Sequence, residues 1–264
     1  MKTPTIVLTI AGSDSSGGAG IQADIKTISA LGSYAASAIT SVTAQNTLGV
    51  QAIHPVPTDM VRQQIESVMD DLHPEAIKIG MVCDKDIATT ISECLRKYQP
   101  RWVVYDPVMV STCGHKLMTD DTIDIICRDL IPQASLITPN LHEAQILLHE
   151  KINHLVEIEK GADVLGKAYG CSVLIKGGHL EGSEMCDVLY DATEQKIFRY
   201  NTPKIESHNL HGTGCTLSSA ITTKLSQGHS MKEAIALAKD YVTKAIDVAK
   251  DMQIGHGHGP LWHF

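Results

Sequence analysis

Three short stretches combine glycines, small polar residues and ionisable side chains in patterns suited to gripping an anion or a polar ring. The first is Gly12-Ser13-Asp14-Ser15-Ser16-Gly17-Gly18-Ala19-Gly20-Ile21-Gln22-Ala23-Asp24, which leaves an apolar run and opens a helical one. Glycines let the main chain approach a ligand closely, and N–H groups at a helix start favour anions and polar ligand atoms. The same residues also read as a plain glycine-rich strand-to-helix turn, with Asp24 complementing the helix dipole. The second is Asn140-Leu141-His142-Glu143 after Thr138-Pro139. Asn at the cap and Glu three residues on form a capping-box pattern, and Pro139 holds the residue before it extended. A carboxylate at Glu143 could also help hold Mg²⁺, directly or through water. The third is His211-Gly212-Thr213-Gly214-Cys215-Thr216-Leu217-Ser218. Two glycines ahead of a helical run aim consecutive N–H groups one way, an anion hole suited to charge on a transferring phosphoryl group. Cys215 falls near a helix start, where the dipole favours the thiolate; the alternative is an ordinary loop with an inert buried Cys.

Two other patterns do not carry chemistry. Gly161-Ala162-Asp163-Val164-Leu165-Gly166-Lys167-Ala168 matches G-x-x-x-x-G-K, but Ala168 replaces the Ser or Thr that binds Mg²⁺ and the segment is helical throughout. His256 and His258 lack a nearby carboxylate or Cys pair, so 255–260 reads as a solvated tail, not a metal site.

The elements that must position these residues alternate. Apolar or β-rich runs predict strands at 5–11, 36–44, 50–54, 76–80, 102–106, 135–138, 172–176, 185–190 and 196–201. Helices are predicted at 20–31, 58–72, 84–98, 120–130, 140–148, 157–169, 213–227 and 230–251, with Pro57-Thr58 offering a cap for the second. The runs 76–80, 102–106 and 172–176 suit the buried middle of a parallel sheet. Strand–helix alternation implies right-handed crossovers and an α/β/α sandwich, in which ligands sit beyond the carboxyl ends of the strands. Gly12, Gly80-Met81, Asp106, Asn140 and Lys176 all fall at such ends. With no Ser/Gly-rich linker and no repeat, residues 1–264 are expected to form one domain.

Composition narrows the classes. The chain has 264 residues, 43% of them hydrophobic, which is enough for a core without staples. A net charge of −8 with no basic block argues against nucleic acid. Seven scattered cysteines without C-x-x-C fit reduced thiols in a cytosol. The short apolar run 6–10 is no signal peptide, and no run approaches a membrane span.

Seven segments, in order, resemble the hydroxymethylpyrimidine/phosphomethylpyrimidine kinases of thiamin synthesis. They are 11–24 as above, Ala44-Gln45-Asn46-Thr47, Lys78-Ile79-Gly80-Met81, Asp106-Pro107-Val108-Met109, Thr138-Pro139-Asn140-Leu141-His142-Glu143-Ala144, Lys176-Gly177-Gly178-His179 and His211-Gly212-Thr213-Gly214-Cys215-Thr216. The ending 255–264 is similar too. The resemblance implies a ribokinase-like three-layer α/β/α sandwich with a mostly parallel sheet, in a cytoplasmic homodimer. It implies phosphorylation of 4-amino-5-hydroxymethyl-2-methylpyrimidine by Mg-ATP, first to the monophosphate and then to the diphosphate. It places Asp24 and Gln45 on the aminopyrimidine and lines the pocket with Gly12, Met81 and Val108. Lys176 would reach the ATP phosphates, with Asn140 and Thr213 also on the nucleotide side. Asp106 and Glu143 would organise Mg²⁺, and Gly212, Gly214 and Cys215 would form the anion hole. Residues 111–116 would form an active-site flap. Cys215 stands where many sugar kinases of that fold carry an Asp base, and it would take or hydrogen-bond the substrate hydroxyl proton.

A pyridoxal kinase on the same scaffold is the nearest alternative, since both substrates are flat N-heterocycles bearing a hydroxymethyl group. A non-catalytic pyrimidine-binding protein would be expected to lose Lys176, Glu143 or the Gly-Thr-Gly turn, and all are present. A nucleotide-linked oxidoreductase lacks its dinucleotide fingerprint.

Overall fold

The computed structural model describes residues 4–109, 118–177 and 184–264. The expected flap, Cys113 and His179 lie outside the described residues. Nine strands form one sheet: β1 (Ile6–Asp14), β2 (Tyr34–Asn46), β3 (Gly49–Pro55), β4 (Ala76–Ile79), β5 (Trp102–Tyr105), β6 (Leu136–Ile137), β7 (Ser172–Ile175), β8 (Glu184–Asp191) and β9 (Lys196–Pro203). Their order is β3-β2-β1-β4-β5-β6-β7-β8-β9. The run from β2 to β7 is parallel, while β3, β8 and β9 pair antiparallel with their neighbours. The chain leaves β1 for β2 on one side and returns to β4 on the other. That reversal makes a switch point, where such sheets open a crevice for ligands.

The helices are α1 (Gly20–Ala30), α2 (Thr58–Leu72), α3 (Lys85–Tyr98), α4 (Asp120–Ile125), α5 (Leu141–Leu148), α6 (Leu155–Tyr169), α7 (Thr213–Ser226) and α8 (Met231–Ala249). Strand side chains alternate between two cores, as period-two geometry requires. Ile77, Ile79, Val103, Tyr105, Val173 and Ile175 join α2, α3, α5 and α6 on one face. Val104, Leu136 and Leu174 join α7 and α8 on the other, and Val7 and Ala76 meet Ile28 of α1. The result is the expected three-layer α/β/α sandwich.

Three local expectations are corrected. The α2 helix is capped by Pro57, with no side-chain bond, because Thr58 is already helical. The helix expected over 120–130 ends at Ile125 and passes into a wider π turn, Ile126–Leu130. Pro132 has no N–H to continue the α ladder, and the Ile131 N–H reaches back to the Ile126 carbonyl instead. In the C-terminal segment, residues 255–258 stay exposed as expected, but their backbone is tied to Thr47 and the residues after them dock on the core. Leu261 and His263 are 3% exposed, the His211 N–H donates to Gly259 O at 3.1 Å, and the His258 N–H donates to Thr47 O at 3.0 Å.

Candidate active site

The carboxyl ends of β1, β4, β5 and β7 and the start of α7 converge on one rim. At its centre Lys176 Nζ donates to Asp106 Oδ1 at 2.8 Å. The Thr138 hydroxyl donates to the same oxygen at 3.0 Å. Both charged residues leave the sheet on its α7 side, one step beyond Val104 and Leu174. Asn140 is brought alongside, because the Lys176 N–H donates to Pro139 O at 2.9 Å and Asn140 bridges Lys176 in parallel fashion.

Gly214, in the first turn of α7, faces this pair. A Cβ there would lie 3.2 Å from Asp106 Oδ2 and 3.3 Å from Lys176 Nζ. Helix geometry leaves the first N–H groups without carbonyls one turn back, so Gly214 and Cys215 present donors where the charged pair sits. Gly212 caps the helix at φ 85°. A side chain there would meet the Gly18 carbonyl, so the turn requires glycine. The Thr213 hydroxyl is committed to Leu210 O at 2.7 Å, which makes it a closing clasp for the loop.

Cys215 does not behave as the helix dipole suggested. Burial pushes its thiol up to about 11, and nearby Asp24 and Asp106 add to the rise against the pull of Lys78 and the Gly20 N–H. It is therefore a neutral thiol at neutral pH. Burial likewise pushes Glu143 up to about 7; Lys176 opposes the rise, Asp106 adds to it, and backbone N–H groups of Asn140 and Met109 oppose it. The capping box is present as expected. Asn140 Oδ1 accepts from the Glu143 N–H at 2.9 Å, and Glu143 Oε2 accepts from the Asn140 N–H at 2.8 Å.

The fit to Mg²⁺ can be tested on the donors themselves. Asp106 and Glu143 are 2% exposed carboxylates close enough to perturb each other. Hard oxygen donors of this kind suit Mg²⁺, which keeps several waters and takes one or two carboxylates plus phosphate oxygens. Burial first, and the Asp106 charge beside it, raise the Glu143 pKa, and a cation between the two carboxylates would oppose that rise. Among the described residues no group of three or more His, Cys, Asp or Glu could hold a metal alone. The residues thus fit a metal shared with phosphate.

At the switch point a Cβ on Gly12 would lie 2.6 Å from Met81 Cε. Those two expected lining residues are therefore adjacent. Val108 is half-buried two residues beyond Asp106, on the same rim. Gln45 is half-buried at the end of β2, its Nε2 3.3 Å from His211 Nε2.

The expectation for Asp24 is corrected. Asp24 is fully buried, and Lys78 Nζ donates to both of its oxygens at 2.9 and 2.8 Å. The Thr9 hydroxyl donates to Oδ2 and the Ser219 hydroxyl to Oδ1, each at 2.6 Å. A carboxylate so occupied holds β1, α1, β4 and α7 together beneath the site and has no face left for a ring. Sequence reasoning missed the matching role of Lys78. The signal was present: a lysine in an apolar strand covered on both faces needs a buried carboxylate. It also missed Asp14 and His211, whose side chains pair at 2.8 Å.

Comparison with known proteins agrees with this architecture. A family described as phosphomethylpyrimidine kinase matches residues 14–262. The hydroxymethylpyrimidine/phosphomethylpyrimidine kinase of Rhizobium meliloti is 45% identical over 260 residues, 98% of this chain and 97% of that protein. The crystal structure of the phosphomethylpyrimidine kinase of Clostridium difficile is similar with a TM-score of 0.82 at 42% identity, over 92% of this chain and 99% of that one. An ADP complex of Bacillus subtilis pyridoxal kinase is similar with a TM-score of 0.89 at 34% identity, over 99% and 98%.

Proposed function

The chain belongs to the phosphomethylpyrimidine kinase family, and from that premise we propose that it uses Mg-ATP to phosphorylate 4-amino-5-hydroxymethyl-2-methylpyrimidine and then its monophosphate. The observation that carries this reading is the reach of one loop. His211 lies 3.3 Å from the Gln45 amide at one end, and Gly214 faces the Lys176–Asp106 pair at the other. A ring held at Gln45 and a phosphate held at Lys176 would then share one wall. The substrate hydroxyl oxygen attacks the terminal phosphorus, the bond to the leaving ADP oxygen breaks, and the hydroxyl proton is released.

Each side chain has a proposed part. Gln45, Gly12, Met81 and Val108 hold the ring. Lys176 leaves Asp106 for the nucleotide phosphates, with Asn140 and Thr213 near them. Asp106 and Glu143 would hold Mg²⁺, which supplies neutralisation of phosphate charge when bound. The N–H groups of Gly214 and Cys215 stabilise the transferring oxygens. The neutral Cys215 thiol serves as a hydrogen-bonding group for the hydroxyl. A loose phosphoryl transition state asks little of a base, so positioning and charge stabilisation dominate.

One continuous sheet supports a single domain. Exposed Val42 and Leu48 on the β2–β3 hairpin support a homodimer, which light scattering tests. Free thiols in the described cysteines suit a cytoplasmic setting. No described helix is long and apolar enough to cross a membrane.

Incubation with the hydroxymethylpyrimidine and Mg-ATP, followed by mass spectrometry, should give the monophosphate and then the diphosphate. No ATP consumption would overturn the reading. Lys176→Ala should raise KM for ATP by at least about tenfold while leaving pyrimidine binding nearly unchanged, the loss expected for a charge-assisted phosphate contact. A pyridoxal kinase reading has a close backbone match to the Bacillus subtilis enzyme behind it, at lower identity than the phosphomethylpyrimidine kinases. Turnover of pyridoxal beside the pyrimidine decides between them.

A further inference from the structure

None of the parts proposed above uses the His211 ring, although it lies between the ring-holding and phosphate-facing ends of the site. Its side chain is 11% exposed. The Gly18 backbone and Pro260 close around it: a Cβ on Gly18 would strike the ring and lie 3.0 Å from Pro260 Cβ. Ring Nε2 is 2.8 Å from Asp14 Oδ2 and 3.3 Å from Gln45 Nε2. The partners of those two groups fix where the protons must be.

Asp14 is 3% exposed. Its Oδ1 accepts from the Ser16 N–H at 2.8 Å and hydroxyl at 2.7 Å. Its Oδ2 accepts from Gly18 N–H at 3.1 Å and Ala19 N–H at 2.8 Å. Burial pushes this carboxyl up, but hydrogen bonds from His211, Ser16 and Ala19 outweigh it and hold the group at about 2. An ionised carboxylate only accepts. His211 Nε2 therefore carries a proton, whether the ring is neutral or cationic.

A donor at Nε2 cannot accept from the Gln45 amide N–H. The one Nε2 proton is directed at Asp14, and a second N–H facing it would be repelled, so the Gln45 carbonyl oxygen is the end that suits His211 and the NH₂ faces the other way. The second neighbour is compatible with the same orientation. Thr43 Oγ lies 3.2 Å from the far end of the amide. Its one proton has two acceptors in reach, of which Ser13 O at 2.9 Å is the nearer, and a bond there leaves the hydroxyl oxygen to accept an amide N–H. The two ends of a glutamine amide are distinguished by such partners alone.

We propose that Asp14 and His211 are positioning residues that lock the Gln45 amide, carbonyl toward His211 and NH₂ toward Thr43, and thereby select a ring edge that donates on the His211 side and accepts on the Thr43 side. This rests on the reading that Gln45 pairs with the substrate ring. A 4-aminopyrimidine offers that order through its amino group and adjacent ring nitrogen. A 4-oxo analogue offers the reverse order, with an accepting oxygen and a donating N–H. A free amide could rotate to suit either ring; a locked one cannot.

The test is the ratio of kcat/KM for the amino substrate over its 4-oxo analogue, measured in the full-length protein with KM for ATP as a control. His211→Leu should lower the ratio by about tenfold or more, within the discrimination that one bidentate amide pair supplies, and leave KM for ATP near its original value. His211→Gln, which restores a donor near Nε2, should recover most of the ratio. Should His211→Leu fail to fold, Asp14→Ala serves instead: it removes the acceptor that fixes the proton at Nε2, frees the ring to change tautomer, and should lower the ratio in the same way. Gln45→Leu separates the two layers of argument. If Gln45→Leu lowers the ratio but the His211 and Asp14 variants leave it unchanged, the lock is wrong and the ring contact stands. If Gln45→Leu itself leaves the ratio unchanged, the ring contact is wrong and the lock falls with it.

Discussion

Cys215 occupies the first turn of α7, a place that ordinarily lowers a thiol pKa. Here burial and two neighbouring carboxylates win, and the thiol rises to about 11. The sign follows directly: the reactive thiolate is the minor form until pH approaches that value. Alkylation of Cys215 by iodoacetamide should therefore be slow at pH 7. It should accelerate by about tenfold per pH unit up to pH 10, since only the thiolate attacks. Peptide mapping by mass spectrometry reads this site apart from the other cysteines. A rate that levels off near pH 8 would show that the dipole prevails after all. The residue types at the rim were legible in the sequence because they fall at strand ends or helix starts marked by glycine or proline. Their protonation was not, because burial depends on what α1 and α7 place above them.

Among the elements, the decisive contact is the ion pair across β4 and α1. Lys78 and Asp24 are both wholly shielded from water, and hydroxyls from Thr9 and Ser219 complete the carboxylate. Removing one partner of such a pair strands a charge at a cost of about 3–5 kcal/mol, whereas replacing both with apolar groups is often nearly neutral. Lys78→Met should thus lower stability by about 3–5 kcal/mol in urea unfolding. Lys78→Met combined with Asp24→Leu should recover much of that loss. A double variant as unstable as the sum of the two single ones would refute direct coupling. The sequence shows the strand Ala76–Ile79 plainly through its apolar run. It does not show which carboxylate, 54 positions away, meets its lysine. The π turn at Ile126–Leu130 was illegible for a related reason: Pro132 announces a break, but not whether the ladder ends or widens.

At the level of the whole molecule, the mostly parallel form of the described sheet follows from the alternation of strands and helices, whereas the order of its strands does not. The long-range closure by the C-terminal segment was not foreseen, because a glycine-rich run beside histidines has no periodic signal. Its grip rests on Leu261, which enters the core beside α7 and α8. Leu261→Ala should lower stability by about 2–4 kcal/mol, as expected for emptying a buried leucine site. Unfolding in urea measures it, and a change under about 0.5 kcal/mol, the usual size for a surface substitution, would mean the segment contributes little.

The dry pair beneath the rim also bears on how a growing polypeptide matures. Asp24 and Lys78 leave the ribosome long before Ser219, which lies 195 positions beyond Asp24. Until α7 arrives, that face of the nascent sheet is open, and both charges keep their hydration. Docking of α7 strips the water and must deliver the serine hydroxyl in the same motion, since a stranded buried charge is so unfavourable. Docking of α7 is then the step that dries the pair and joins the first strands to the last third of the chain.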